Sequence, residues 1–302
     1  MKNILIATVA LGLSFLSAPV LADADFYGSV NVMVSNDDDA SGKAVLKAQN
    51  NGSKIGVEFS ETLVDAEGNS KGGLTGFGKI EVGVDADDSG SDTFDSRLAY
   101  VGLDAGAMGS VAAGRQANPG AGVSKTNIFN VYGGNATFNY ADRSSNSLKY
   151  SNSVGPVTIN ALGIVDGSTG VTGLDVTDIS ASMDLGPIAV SGGLVNDKVN
   201  VIKYRLASAS IDLAGITLAG TYSYKDTATT DLTGMEYSAS TTIAGNTVAV
   251  SLQDKEGTGK YYTAGVSRDL STSLSTYAEY QLTDVDTGTD TTQMALGIKY
   301  SF

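Results

Sequence analysis

The stretch Met294-Ala-Leu-Gly-Ile-Lys-Tyr-Ser-Phe302 alternates without a break. Met294, Leu296, Ile298, Tyr300 and Phe302 share one parity, and Ala295, Gly297, Lys299 and Ser301 share the other. Successive side chains of a strand point to opposite faces, so this segment has one apolar, aromatic-tipped face and one small or polar face. The same division recurs upstream. Ile55, Val57 and Phe59 oppose Lys54, Gly56 and Glu58; Ile80, Val82 and Val84 oppose Lys79 and Glu81. Leu148 and Tyr150 oppose Ser147, Lys149 and Ser151, and that parity puts Arg143 with the polar set. Charges opposite an apolar face imply that the polar face is wet.

Strand-like segments of this kind fall at about 25–34, 52–60, 73–84, 96–104, 108–115, 144–151, 155–164, 176–185, 187–196, 203–212, 215–225, 232–242, 246–253, 259–269, 272–283 and 292–302, sixteen in all. Short turn-like connections such as Leu185-Gly-Pro187 and Ile243-Ala-Gly-Asn246 alternate with longer acidic ones, Asp37-Asp-Asp39, 85–95 and 284–290. Short turns on one rim and long loops on the other predict an all-β fold, an antiparallel transmembrane β-barrel of 16 strands. The connection from Glu61 to Gly72 is long for its rim and does not fit the scheme. Tyr27, Tyr132, Tyr150, Tyr222, Tyr262, Tyr280 and Tyr300 are candidates for interfacial girdles, where an apolar ring carries a polar tip.

Near the start, Lys2 precedes an apolar run from Ile4 to Leu16, followed by small residues up to Ala22. This pattern predicts a secretory signal peptide over 1–22, cut after Ala22 or, alternatively, Ala24. It leaves an exported barrel over 23–302. The chain contains no Cys, so no disulfide framework is available, and no His, which removes Ser-His triads and His-based metal sites. No enzyme, metal or cofactor is expected. The formal charge of −14 becomes about −15 once Lys2 is lost, which argues against nucleic acid as a partner. Neither Asp37–Asp39 nor Asp85–Asp88 has EF-hand spacing.

A barrel of 16–18 strands leaves an aqueous channel unless a loop enters it. The candidate is the longest connection, about 116–142, with Asn118-Pro-Gly120, Ile128-Phe129 and Tyr132-Gly133-Gly134.

Several segments carry a family resemblance: Phe26-Tyr-Gly-Ser29, Gly52-Ser-Lys-Ile-Gly56, Arg97-Leu-Ala-Tyr-Val-Gly-Leu103, Gly114-Arg-Gln116, Arg143-x-x-Asn146-Ser147-Leu148-x-Tyr150 and the Tyr-Ser-Phe terminus. In order and spacing they resemble the general trimeric porins of Gram-negative outer membranes. The resemblance implies a homotrimer in the outer membrane, in contact with lipid and lipopolysaccharide. It also implies a C-terminal signal, Tyr300 and Phe302, read by the barrel-assembly machinery, and passive passage of small hydrophilic solutes. The third extracellular loop would fold inward as a constriction. By the same resemblance Lys54, Arg115 and Arg143, with Arg97 nearby, match the basic wall of that constriction. Arg115 shares parity with Val111 and Ala113, so an inward side chain there requires a bulge at Gly114.

The chain departs from the family on the acidic side. Between Gln116 and Ala141 there is no Asp or Glu, only Lys125, with Asp142 at the base; Asn127 and Val131 stand where acids would be expected. Glu58 or Glu81 on the wall is then expected to supply the negative side. Acidic mouth loops gather cations within a Debye length of about 8 Å, while a basic constriction favours anions. The expectation is a weak cation preference. A non-conducting surface adhesin and a sugar-specific channel are the alternative readings.

Overall fold

The computed structural model describes residues 23–38, 43–64, 70–87, 92–167 and 170–302. The expected signal peptide, Asp39 and Asp88 lie outside these residues. The first strands are β1 (Asp23–Asp38), β2 (Ala44–Asn50), β3 (Lys54–Val64), β4 (Ser70–Val84), β5 (Phe94–Asp104) and β6 (Ser110–Ala117). They are followed by β7 (Arg143–Val154), β8 (Val157–Ile164), β9 (Val176–Leu185), β10 (Ile188–Asp197), β11 (Ile202–Leu213) and β12 (Ile216–Asp226). The last are β13 (Asp231–Ile243), β14 (Asn246–Lys255), β15 (Gly259–Asp269), β16 (Leu274–Val285) and β17 (Thr291–Ser301).

Neighbouring strands pair antiparallel, and the sheet closes where β1 meets β17, from Ser29↔Ser301 to Asp37↔Gln293. β1 also pairs with β2 from Val32↔Asn50 and with β3 up to Ser29↔Lys54. Those two segments are therefore halves of one barrel strand, and the seventeen segments make a sixteen-stranded closed barrel. The break falls at Asn51-Gly52-Ser53, where Gly52 has φ +77°. Ser53 repairs it: its Oγ accepts the Asn31 N–H at 2.9 Å and donates to the Asn31 carbonyl at 3.2 Å. Closure thus removes the edges that an open sheet would expose.

Three sequence expectations change. The Glu61–Gly72 connection shrinks, because β3 runs on to Val64 and β4 begins at Ser70. After β9 the loops that were expected to be long are short: the connections 198–201, 227–230, 256–258 and 286–290 run three to five residues. Ala44–Asn50 was not expected as a strand.

The burial pattern is inverted relative to a soluble sheet. Leu148, Leu194 and Leu296 are more than half exposed, whereas Ser223, Glu236 and Gln253 are at most 1 % exposed. An outward apolar face and a polar face turned inward fit a lipid-facing barrel. Tyr150, Tyr222, Tyr262, Tyr280 and Tyr300 lie on the outward face as girdle residues should. Tyr27 and Tyr132 do not. The Tyr27 ring covers Gly56 and its hydroxyl reaches Glu81, and Tyr132 is buried in the 118–142 segment.

The terminal residue seals the seam. Phe302 exchanges backbone hydrogen bonds with Gly28, at 2.9 and 3.1 Å. Its ring lies over the Gly28 Cα, so a Cβ there would meet Phe302 Cζ at 2.5 Å. An aromatic ring placed over a cross-strand glycine covers backbone that would otherwise be bare.

Candidate functional site

The segment between β6 and β7 has backbone N–H groups but no carboxylate of its own from Gln116 to Ala141. Apart from a 3-10 turn at Pro119–Gly122 the segment is irregular, so it must satisfy those donors elsewhere. Its neck is clamped where Asn118 N–H donates to the Asp142 carbonyl and Asn118 Nδ2 to the Ala141 carbonyl, both 2.9 Å. From there it crosses to the far wall. Gly120 N–H meets both oxygens of Asp178 on β9, at 2.9 and 3.0 Å. Thr126 Oγ1 donates to Glu236 Oε2 at 2.5 Å, and the N–H groups of Ala136 and Thr137 donate to Glu236 Oε1 at 2.9 Å. Glu279 on β16 receives the N–H groups of Asn130, Val131 and Tyr132 at 2.6–3.0 Å. The Tyr132 carbonyl in turn accepts from Gln253, Thr263 and Gln281 at 3.2–3.3 Å.

Three wall carboxylates therefore take the place of the missing loop acids. Charge-assisted bonds to backbone N–H are about twice as strong as neutral ones, so these anchors hold the loop firmly against the wall. Apolar packing supports the near end. Val123 sits among Leu162, Ile164, Val176, Val195 and Leu206, with Phe138 and Tyr140 against the same cluster. Within the loop, Asn127 packs onto Gly133 and Gly134, where a Cβ at Gly133 would collide with the Asn127 Oδ1. Gly134 has φ +74°, which a side chain rarely adopts. Lys125 N–H is held by Ser208 Oγ at 2.9 Å.

The opposite wall, β1 and β3–β5, carries the basic side chains. Glu81 is 3 % exposed and is shared by Lys54 Nζ at 3.1 Å, Arg97 Nε at 2.6 Å and the Tyr27 hydroxyl at 2.9 Å. Two cations on one carboxylate leave a local excess of one positive charge. One step along, Glu58 is paired with Lys79, whose ammonium also lies 4.5 Å from the Tyr27 ring centroid. Glu58 and Glu81 are thus both paired with wall cations rather than facing them.

Arg143 opens β7 directly after Asp142, opposite Ala117. Arg115 sits where the β6–β7 register shifts, between Gly114 and Gln116, so the irregularity expected there is present. Its Nε donates to the Ser96 carbonyl at 3.2 Å and its Nη1 to Ser145 Oγ at 3.0 Å, and its ladder partner is Ala99. The structure groups Lys54, Arg97 and Glu81; Arg115 makes its contacts apart from them.

Family comparison fits this geometry. The Gram-negative porin family matches residues 7–300. The chain belongs to that family. Three solved porin structures illustrate the likeness in fold. The anion-selective porin of Comamonas acidovorans is 18 % identical with a TM-score of 0.75, covering 93 % of this chain and all of its own. Salmonella typhi OmpF, in complex with daunomycin, is 19 % identical with a TM-score of 0.77, covering 93 % and 98 %. Vibrio cholerae OmpT lacking loop L8 is 17 % identical with a TM-score of 0.74, covering 93 % and 99 %. No curated protein matches the chain. The porin is an outer-membrane channel for passive diffusion, and its family and fold are those of a conduit rather than an enzyme.

Sequence reasoning missed Asp178, Glu236 and Glu279. Each is a lone carboxylate in an alternating strand, and its partners are backbone groups 58 to 149 residues away. No local motif marks such an acceptor.

Proposed function

We propose that loop 116–142 forms the constriction of the pore and that solutes cross a transverse field there. The positive side is the Lys54–Arg97–Glu81 group with Arg143; the negative side is Asp178, Glu236 and Glu279, set behind the loop instead of on it. The observation that carries this reading is the triple acceptance by Glu279 of the Asn130, Val131 and Tyr132 N–H groups. The wall pair Glu58–Lys79 adds little net charge, so the acidic chain as a whole tips the balance to a weak cation preference. The reversal potential under a salt gradient tests the sign.

The remaining assignments belong to the same proposal. Residues 1–22 are a signal peptide removed on export. The porin assembles as a homotrimer, as in-vitro folded Vibrio cholerae OmpT does in its trimer form, and sits among outer-membrane lipid and lipopolysaccharide. The assembly machinery reads the strand ending in Tyr300 and Phe302. Asn127, Gly133 and Gly134 fix the loop's turn, and Lys125 contributes a cation near its centre. Three equal closing steps in single-channel records would support the trimer.

A further inference from the structure

Between β4 and β7 the inner wall holds a recess of about 350 Å³, which touches the proposed constriction loop only at its first residues, Gln116 and Ala117. Its walls are Phe77, Leu98, Tyr100 and Ala112, with Lys79 and Lys149 also lining it. Phe77 and Tyr100 meet edge to face, with ring centroids 6.4 Å apart. The polar groups around it are unequal. Lys79 is committed to Glu58 and to the Tyr27 ring. Gln116 Nε2 is committed to Ala112 and Ser147, and Ser151 to Asn160 at 2.8 Å. Lys149 is different. Its ammonium donates to the Ala117 carbonyl at 3.3 Å and feels the Asp178 carboxylate from beyond ion-pair distance, but joins none of the three ion pairs among the described residues. An ammonium has three donors, so capacity for an anion remains.

A volume of this size equals about a dozen waters, which is room for a single-ring acid. One available cation beside an aromatic and aliphatic wall matches one negative charge on an apolar body. A dianion such as phosphate would leave half its charge unpaired and would gain nothing from the rings.

We infer that this recess is a binding subsite for amphipathic monocarboxylates, with the carboxylate on Lys149 and the ring or branched chain against Phe77, Leu98 and Tyr100. The inference rests on the channel reading only in that solutes reach the site through the lumen. Such a subsite raises the local concentration of these acids in the pore and slows each molecule's passage, which is how a general diffusion channel acquires a preference without a gate.

The test uses refolded full-length porin and three probes: phenylacetate, acetate (the charge without the body) and benzyl alcohol (the body without the charge). Binding is read twice, by saturation-transfer NMR in detergent micelles and by concentration-dependent block of single-channel current. Phenylacetate should bind at least about tenfold more tightly than either fragment, because it alone makes both the charged hydrogen bond and the apolar contact. Lys149→Gln should weaken phenylacetate about tenfold, and Tyr100→Leu should weaken it while leaving acetate unchanged. If Lys149→Gln fails to fold, Tyr100→Leu decides alone. Equal binding of all three probes, or phenylacetate binding indifferent to the substitutions, overturns the subsite even in a conducting channel. Binding by NMR in a protein that never conducts would uphold the subsite and sink the channel reading.

Discussion

Glu279 accepts the backbone N–H of Tyr132 at 3.0 Å, tying a strand near the end of the chain to the middle of the 118–142 loop. The same carboxylate holds Asn130 and Val131. This contact decides how rigid the passage is. Glu279→Gln keeps the shape but turns one of the two acceptor oxygens into an amide donor facing the loop N–H groups, a loss on the order of 1–3 kcal/mol locally. We expect noisier open-channel current and brief sublevels, with the barrel's thermal unfolding nearly unchanged because the strand ladders are intact. Glu236→Gln should behave similarly. Current variance identical to wild type in both would contradict the anchoring role.

Gly133 faces the Asn127 side chain with no room for a Cβ. Gly133→Ala should therefore displace the loop, costing about 1–3 kcal/mol of local packing energy. Adding Asn127→Ala should restore much of the wild-type conductance. A double variant no better than Gly133→Ala would show that the Asn127 contact is not the cause.

How much of this was legible beforehand depends on the range of the interaction. Alternation is local, so Leu148, Lys149 and Tyr150 declared their faces and the strand scheme followed. The segment Ala44-Val-Leu-Lys-Ala-Gln-Asn50 escaped notice because it is short, and only Leu46 stands out as apolar and well exposed. Lys54 and Arg97 were legible through family pattern. Their sharing of Glu81 was not, since it depends on a register shift between Glu81 and Val82. The acidic anchors were least legible of all, because a carboxylate that binds backbone leaves no mark on its partner's sequence.

Charge substitutions on the wall should move selectivity in opposite directions. Glu81→Gln removes the group that both Lys54 and Arg97 address, leaving two cations there. Arg97→Gln leaves Lys54 and Glu81 balanced. One charge about 10 Å from a permeating ion in water is worth about 0.4 kcal/mol, or roughly twofold in that ion's permeability. Because cation and anion shift in opposite senses, the cation-to-anion permeability ratio should fall about fourfold in Glu81→Gln and rise about fourfold in Arg97→Gln, by the same Coulomb estimate. Shifts of the same sign would refute the assignment of these residues to the pore wall.

The seam between Gly28 and Phe302 offers a stability test. Phe302→Ala uncovers Gly28, and Gly28→Val places a branched side chain where the ring lies. Each should destabilise closure by about 1 kcal/mol, the scale of a cross-strand side-chain pair. Urea unfolding in lipid vesicles, followed by heat-dependent gel mobility, would register it. Unchanged midpoints in both variants would remove Phe302 from any part in holding the seam.

The central claim is that this barrel is an open, weakly cation-preferring pore crossed by a loop anchored from behind. The most direct measurement is single-channel conductance of refolded protein in a planar bilayer under a salt gradient. Stepwise openings with a reversal potential displaced modestly towards that of the cation are expected. A folded β-rich protein that never conducts would contradict the account, and a clear anion preference would overturn its electrostatics.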